Sequence, residues 1–216
     1  MPTKKQPQKT TKPAPSKTSA LSSFDKSKTK ENLARAFAGE CQDGARYQFI
    51  AQQCMEEGYP YLQTIFKTFA KNEMAHAKTF YQLVFEHTGK STGNIKITGG
   101  YPFECGDLKT SILDSIQTEV EQSQNVYPGF AKTARQEGYA DIAHKFELVA
   151  SVEDTHHRIL RHILDKMKSG KLYKSSSDEN WKCNNCGYVC ICKTCWTKCP
   201  SCDMPQGYAQ FNIELK

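Results

Sequence analysis

A four-residue pattern, Glu-x-x-His, occurs twice in this chain, as Glu73-Met74-Ala75-His76 and, 80 residues later, as Glu153-Asp154-Thr155-His156. On a helix, residues three apart share a face one turn removed. A carboxylate and an imidazole can then reach one point, and both suit a borderline or hard cation. One such pair occurs in many solvated helix faces; the echo is what constrains the fold. The offset also matches Tyr47 to Tyr127, Glu57-Gly58-Tyr59 to Glu137-Gly138-Tyr139, Leu62 to Ile142, Phe66 to Phe146 and Ala70 to Ala150. These positions describe one helix-turn-helix unit used twice. Two such hairpins predict a four-helix bundle with pseudo-twofold symmetry, its Glu-x-x-His faces meeting at the centre.

Helical spacing predicts helices over Lys30–Glu57, Tyr61 to about His87, about Leu108–Gln136 and Tyr139–Lys168. Gly58 and Pro60 punctuate the first turn, and Gly170 suits a helix C-terminus. Residues 88–107 form an unusually long connection, as a ferritin-like bundle needs between its second and third helices. Hydrophobic residues make up 38% of the chain, enough for a core of this kind. The domain expectation is a basic disordered tail at 1–29, a ferritin-like bundle at 30–172, a polar linker at 173–180 and a small four-cysteine metal domain at 181–216.

The net charge of +6 is mostly that tail: residues 1–30 carry eight lysines and one aspartate. A globally basic, nucleic-acid-binding surface is therefore not expected. No apolar run has the length of a membrane span, and no apolar stretch near the N-terminus resembles a secretion signal. The expected location is cytoplasmic, with an organelle reached through the basic tail as the alternative.

A dinuclear carboxylate site needs one further Glu from each of the other two helices. Glu40, inside the apolar stripe of the first helix, supplies one. The strict offset puts its partner at Val120, flanked by Glu119 and Glu121. A one-residue π-bulge would bring either into line, and spacing alone leaves that choice open. Carboxylates bridge paired cations, and oxygen ligands with one imidazole per metal suit Fe or Mn. Buried carboxylates without a counter-charge would be costly.

Seven of the ten cysteines lie within residues 183–202. Cys183-x-x-Cys186 and Cys199-x-x-Cys202 are two knuckles with 12 residues between them, the pattern of a tetrahedral four-thiolate site for Fe or Zn. Gly187 permits the tight turn that aims backbone amides at sulfur. Cys190, Cys192 and Cys195 lie between the knuckles and read as free or surface thiols, the alternative being that Cys192-x-x-Cys195, a third knuckle, competes as a ligand pair.

Together the two modules resemble rubrerythrin, a ferritin-like di-iron bundle joined to a C-terminal rubredoxin-like domain. The resemblance spans about 30–216 and rests on Phe37-Ala38-Gly39-Glu40, Glu73-x-x-His76-Ala77-Lys78, Tyr127-Pro128-x-Phe130-Ala131, Glu137-Gly138-Tyr139, Glu153-x-x-His156 and the two knuckles. Counting back from Tyr127-Pro128, it selects Glu119 over Glu121. It implies two Fe held by Glu40, Glu73, His76, Glu119, Glu153 and His156, with Glu73 and Glu153 bridging. One more Fe, or Zn, would be held by Cys183, Cys186, Cys199 and Cys202. Tyr47 and Tyr127 would donate to ligand carboxylates. The implied activity is reduction of hydrogen peroxide to water, with electrons from an external reductase or rubredoxin relayed through the four-cysteine iron, in a homodimer or larger assembly. One departure stands out. The family's extra glutamate, three residues after the one matching Glu119, is here Gln122. A ferroxidase or oxygen-reducing di-iron protein is the enzymatic alternative, and a zinc-ribbon interaction protein the non-enzymatic one.

Overall fold

The structure, a computed structural model of the 216-residue chain, describes residues 24–103 and 106–213. Helices α1 (Lys28–Glu56) and α2 (Pro60–Thr88) form one hairpin. The other joins α5 (Ala140–Lys168) to a continuous third helix. That third helix comprises α3 (Leu108–Glu121), a π-helical turn (Gln122–Val126) and α4 (Tyr127–Gln136). Each hairpin packs chiefly on itself, α1 on α2 and the third helix on α5. This is the predicted ferritin-like architecture, and its long crossover is the segment after Gly89.

The repeat extends to individual hydrogen bonds. Gly58 (φ 82°) and Gly138 (φ 90°) both hold the left-handed conformation that glycine adopts without penalty. Tyr59 N–H donates to Cys54 O at 2.7 Å, and Tyr139 N–H to Ala134 O at 2.8 Å. The glutamate beside each glycine caps a helix of the opposite hairpin. Glu137 accepts from the Lys28 and Thr29 backbone N–H groups at 2.9 and 2.8 Å, and Glu57 accepts from Leu108 N–H at 3.3 Å. A carboxylate at a helix N-terminus satisfies free donors and opposes the helix dipole. The repeated Glu-Gly-Tyr therefore ties the two halves to each other.

Two apolar clusters fill the bundle, one on either side of its centre. Toward one end lie Tyr47, Ile50, Leu62, Phe66, Phe69, Ile112, Ile116, Leu160 and Ile163. Toward the other lie Leu33, Phe80, Tyr127, Phe130, Ile142 and Phe146. Along every helix the change of cluster falls at a buried glutamate: Glu40, Glu73, Glu119 or Glu153. A layer of charge thus crosses a core that is apolar on both sides.

Two boundary expectations need correction. Residues 24–29 belong to the bundle rather than to a disordered tail. Phe24 is 1% exposed, with ring centroids 5.1 Å from both His87 and Tyr139, and Ser27 Oγ caps α1 by accepting from Lys30 N–H at 3.1 Å. One aromatic and one cap outweigh a lysine-rich composition there. The rest of the predicted tail, residues 1–23, lies outside the described residues. Most of the predicted linker is strand: β1 spans Lys174–Cys183. It pairs antiparallel with β2 (Val189–Thr194) and with β3 (Ala209–Gln210), in the order β2-β1-β3. Its polar sequence reflects its exposure, since only Trp181 and Cys183, near its C-terminal end, are buried.

The small sheet sits on the α1–α2 turn. Trp181 and Phe211 join the apolar cluster at that end, and the Phe211 ring meets Tyr61 edge-on at 5.0 Å. Asn184 Nδ2 donates to Thr64 Oγ1 at 3.3 Å. Gly207 lies so close that a Cβ there would fall 1.9 Å from Gly58 O, so only glycine allows this contact.

Candidate metal centres

Glu40, Glu73, Glu119 and Glu153 are each no more than 2% exposed, in the layer where four helices converge. Each helix supplies its carboxylate from the stripe that also supplies core residues, so packing aims all four inward. Their oxygens and the two imidazoles fall into two tetrads, Glu40-Glu73-His76-Glu153 and Glu73-Glu119-Glu153-His156, with ligand atoms in each within 4.8 Å of one another. Glu73 and Glu153 belong to both. Each turns one oxygen to each histidine: Glu73 Oε2 lies 3.0 Å from His76 Nδ1 and its Oε1 3.1 Å from His156 Nδ1. Glu153 Oε1 lies 3.0 Å from His76 Nδ1 and its Oε2 3.0 Å from His156 Nδ1. Glu40 closes one tetrad at 3.4 Å from His76 Nδ1, and Glu119 the other at 3.7 Å from His156 Nδ1.

The electrostatics call for cations at these two points. Burial works against a charged imidazole, yet hydrogen bonding to Glu153, Glu40 and Glu73 carries His76 up to about 12. Burial is likewise outweighed at His156, by Glu119, Glu153 and Glu73, and it too rises to about 12. Glu73 falls to about 2 against its burial, through its bonds to His156 and His76. Glu40 and Glu119 are raised, first by burial and then by their carboxylate neighbours. Each imidazole Nδ1 faces three carboxylates, more than its single proton can serve. Glu73 Oε1, Glu119 Oε2, both Glu153 oxygens and His156 Nδ1 make no well-aligned hydrogen bond, although these carboxylates and imidazoles approach to 3.0–3.7 Å. Buried donor atoms that converge on two points without aligned hydrogen bonds fit a pair of metal ions. With four carboxylates and two imidazoles, the chemistry is that of a di-iron site.

Two buried tyrosines hold the outer carboxylates, crosswise between hairpins. Tyr47 OH donates to Glu119 Oε1, and Tyr127 OH donates to Glu40 Oε1. Burial first, and then the adjacent Glu, pushes both phenols well above their usual range, so they remain donors. Glu121 instead faces solvent and accepts from Asn125 Nδ2 at 2.6 Å. The π-helical turn absorbs one residue between Glu119 and Tyr127, which is why the partner of Glu40 falls at an offset of 79 and not 80.

Gln122 does not point into a tetrad. Its Nε2 donates to Asp43 Oδ2 at 2.7 Å, and Asp43 Oδ1 accepts from Arg46 Nη1 at 2.9 Å. Burial lifts Asp43 to about 6 in spite of Arg46 and Gln122. Asp43 stands three residues after Glu40, as Gln122 stands three after Glu119, so they are symmetry mates across the centre. Asn72 was also not anticipated. Its amide nitrogen lies 3.2 Å from His156 Nε2. With Nδ1 committed to the carboxylates, Nε2 keeps its proton, and the amide turned over about its last torsion accepts it. The repeat hides this residue, because its mate is Val152. The two histidines are therefore unequal: the His156 side chain is 3% exposed, that of His76 13%.

In the small sheet, Cys183, Cys186, Cys199 and Cys202 gather into one tetrad. Cys183 and Cys202 sulfurs are 3.8 Å apart, and Cys186 and Cys199 sulfurs 3.7 Å. Metal–sulfur bonds of about 2.3 Å in a tetrahedron place sulfurs roughly 3.75 Å apart. The backbone N–H of Met204 and Asn185 Nδ2 hold Cys202 down to about 6, favouring its thiolate. Gly187 takes φ 80° in the first knuckle.

Comparison with known proteins points to one family. The rubrerythrin family profile matches residues 31–101 and 112–183. Rubrerythrin-1 of Clostridium acetobutylicum is 37% identical over 195 residues, covering 90% of this chain and 99% of its own. Rubrerythrin of Clostridium perfringens is 33% identical over 189 residues, covering 87% and 96%. Among solved structures, the mixed-valence state of nigerythrin superposes with a TM-score of 0.56 at 26% identity, covering 86% of this chain and 89% of that one. No helix among the described residues is long and apolar enough to cross a membrane. With two tetrads of potential metal ligands sharing Glu73 and Glu153, a four-cysteine module and relatives matched over nearly their whole length, the chain belongs to the rubrerythrin family.

Proposed function

We propose that this di-iron protein is a peroxidase that reduces hydrogen peroxide to water, refilled with electrons through its four-cysteine iron. The observation that carries the reading is the pairing of a symmetric di-metal centre with a second redox-capable centre on the same chain. An oxygen-reducing ferroxidase needs no such second station. Glu40, Glu73, His76 and Glu153 would hold one iron and Glu73, Glu119, Glu153 and His156 the other, and the pair when ferrous would supply the two electrons that peroxide reduction needs. Tyr47 and Tyr127 orient the outer carboxylates through their hydroxyl protons. A cleft of about 330 Å³ beside Asp43, Gln122 and Tyr127, floored by α1 and the third helix, offers a small oxidant a way in.

Pro60, at the docked end of α2, stands 13 residues from Glu73, or roughly 20 Å of helix. A partner subunit that lays its own four-cysteine module against the bundle shortens the electron's path, which favours a homodimer or larger assembly. An external reductase or rubredoxin is the donor.

Stopped-flow oxidation of the reduced, iron-loaded protein tests the reading. Faster reaction with peroxide than with oxygen is expected, and the reverse order refutes it. Cys199→Ser should abolish donor-driven turnover yet leave single-turnover oxidation of the bundle intact. Zinc in the four-cysteine site of protein from its native host would remove the electron relay.

A further inference from the structure

Three cysteines of the small module lie outside its four-thiolate tetrad, on and beside strand β2. Cys190 and Cys192 are two residues apart on one strand, so their side chains leave the same face. That face is the inner one: both are half-buried against the apolar cluster that holds Trp181, while Val189, Ile191 and Lys193 are exposed. Their sulfurs are 3.3 Å apart. This is closer than the 3.7 and 3.8 Å pairs of the four-cysteine site. A chelated pair sits near 3.75 Å, by the tetrahedral geometry above. No group of three potential ligands among the described residues includes either of them. The spacing therefore suits a sulfur–sulfur bond better than a metal.

We propose that Cys190 and Cys192 form a reversible dithiol–disulfide pair, oxidised by hydrogen peroxide and reduced by an external dithiol. The Cys192 thiolate attacks one peroxide oxygen, the O–O bond breaks, and hydroxide leaves. The Cys190 sulfur then attacks the resulting sulfenic sulfur, the S–O bond breaks, and the second oxygen leaves as water. The Cys190 proton and the one released by Cys192 are taken up by the two departing oxygens. Two electrons pass from the sulfurs to peroxide, giving one disulfide and two waters. Burial and the adjacent Cys192 push the Cys190 thiol up to about 11, so it enters as the protonated partner of the second step.

Strand geometry sets the character of the bond. Alternate Cα atoms in an extended strand lie about 6.6–6.8 Å apart, at the upper limit of the range that disulfides span. The bond can close but remains easily reduced, as switching disulfides are. β2 is an edge strand, pairing on one side only, with β1, so it can adjust by the small amount closure requires.

The test uses the full chain with its metals bound. Reduced protein is treated with a few equivalents of hydrogen peroxide, blocked with N-ethylmaleimide, digested and weighed. The Cys190–Cys192 peptide should lose two hydrogens and take no label, and dithiothreitol should restore two labels. In C192S, Cys190 should stay labelled after the same treatment. Two labels on the peroxide-treated wild-type peptide would overturn the proposal, as would bonding of either sulfur to Cys195. Absence of labels before peroxide, cured only by a chelator, would overturn it in favour of a metal.

Discussion

Replacing Gln122 with glutamate tests how the charge layer is balanced. The wild-type amide donates to Asp43 at 2.7 Å. A carboxylate there would face another at that distance. With an effective dielectric constant of about 20, the repulsion is roughly 6 kcal/mol. The protein has a less costly escape. Asp43 titrates at about 6, so protonating it at pH 7 costs about 1.4 kcal/mol. Proton uptake wins, and Asp43 becomes the donor to the introduced carboxylate. Metal-free Gln122→Glu should therefore be about 1.4 kcal/mol less stable than wild type at pH 7, or ~3–6 °C in Tm. The sign follows from the raised carboxyl. Below pH 6 Asp43 is protonated in either protein and the difference vanishes; above pH 7 it widens by about 1.4 kcal/mol per unit until repulsion takes over. Loading iron gives the new carboxylate somewhere better to go, so the difference should close, and oxidation by peroxide should quicken. Thermal unfolding of both proteins, metal-free and loaded, from pH 5.5 to 8 reads each part. An equal penalty at pH 5.5 and 7, or none at either, would refute the argument.

Asn72→Leu removes the partner of His156 Nε2 and should weaken binding of one metal equivalent by roughly 10–100-fold while sparing the other; Asn72→Asp should restore most of it, and uniform loss from both sites in a metal titration would contradict the assignment. Phe24→Ala should cost about 3–5 kcal/mol, measured by denaturant unfolding, because a ring that is 1% exposed leaves a void between His87 and Tyr139. A change below about 1 kcal/mol would return residues 24–29 to the tail.

The helices and the two Glu-x-x-His pairs were legible because both signals are periodic: apolar spacing marks a helix, and an 80-residue echo marks a pair of hairpins. The roles of Glu57 and Glu137 as caps on opposite hairpins were not, since they depend on which ends meet. Asp43 and Asn72 escaped for a related reason. Each acts across the interface, on Gln122 and His156, and neither has a mate of the same type. Symmetry therefore reveals the metal-facing residues and conceals those that distinguish one half from the other. In the small module the knuckles were plain from spacing, whereas β1 was masked by its serine-rich, polar sequence. Strand pairing there comes from backbone bonds to β2 and β3, which composition does not record.

The π-helical turn has a consequence in rotation. An α-helix advances about 100° per residue. Glu40 and Tyr47 are seven residues apart, which brings them within about 20° of two full turns. Glu119 and Tyr127 are eight apart, which in unbroken α-helix would swing them about 80° out of alignment. The wider turn takes up the surplus residue, so both point at the centre again. Deleting Gln124 would leave them seven apart, and an unbroken α-helix could then serve both, as it does in the first hairpin. The turn thus lets one backbone change phase between its glutamate and its tyrosine without either losing the centre.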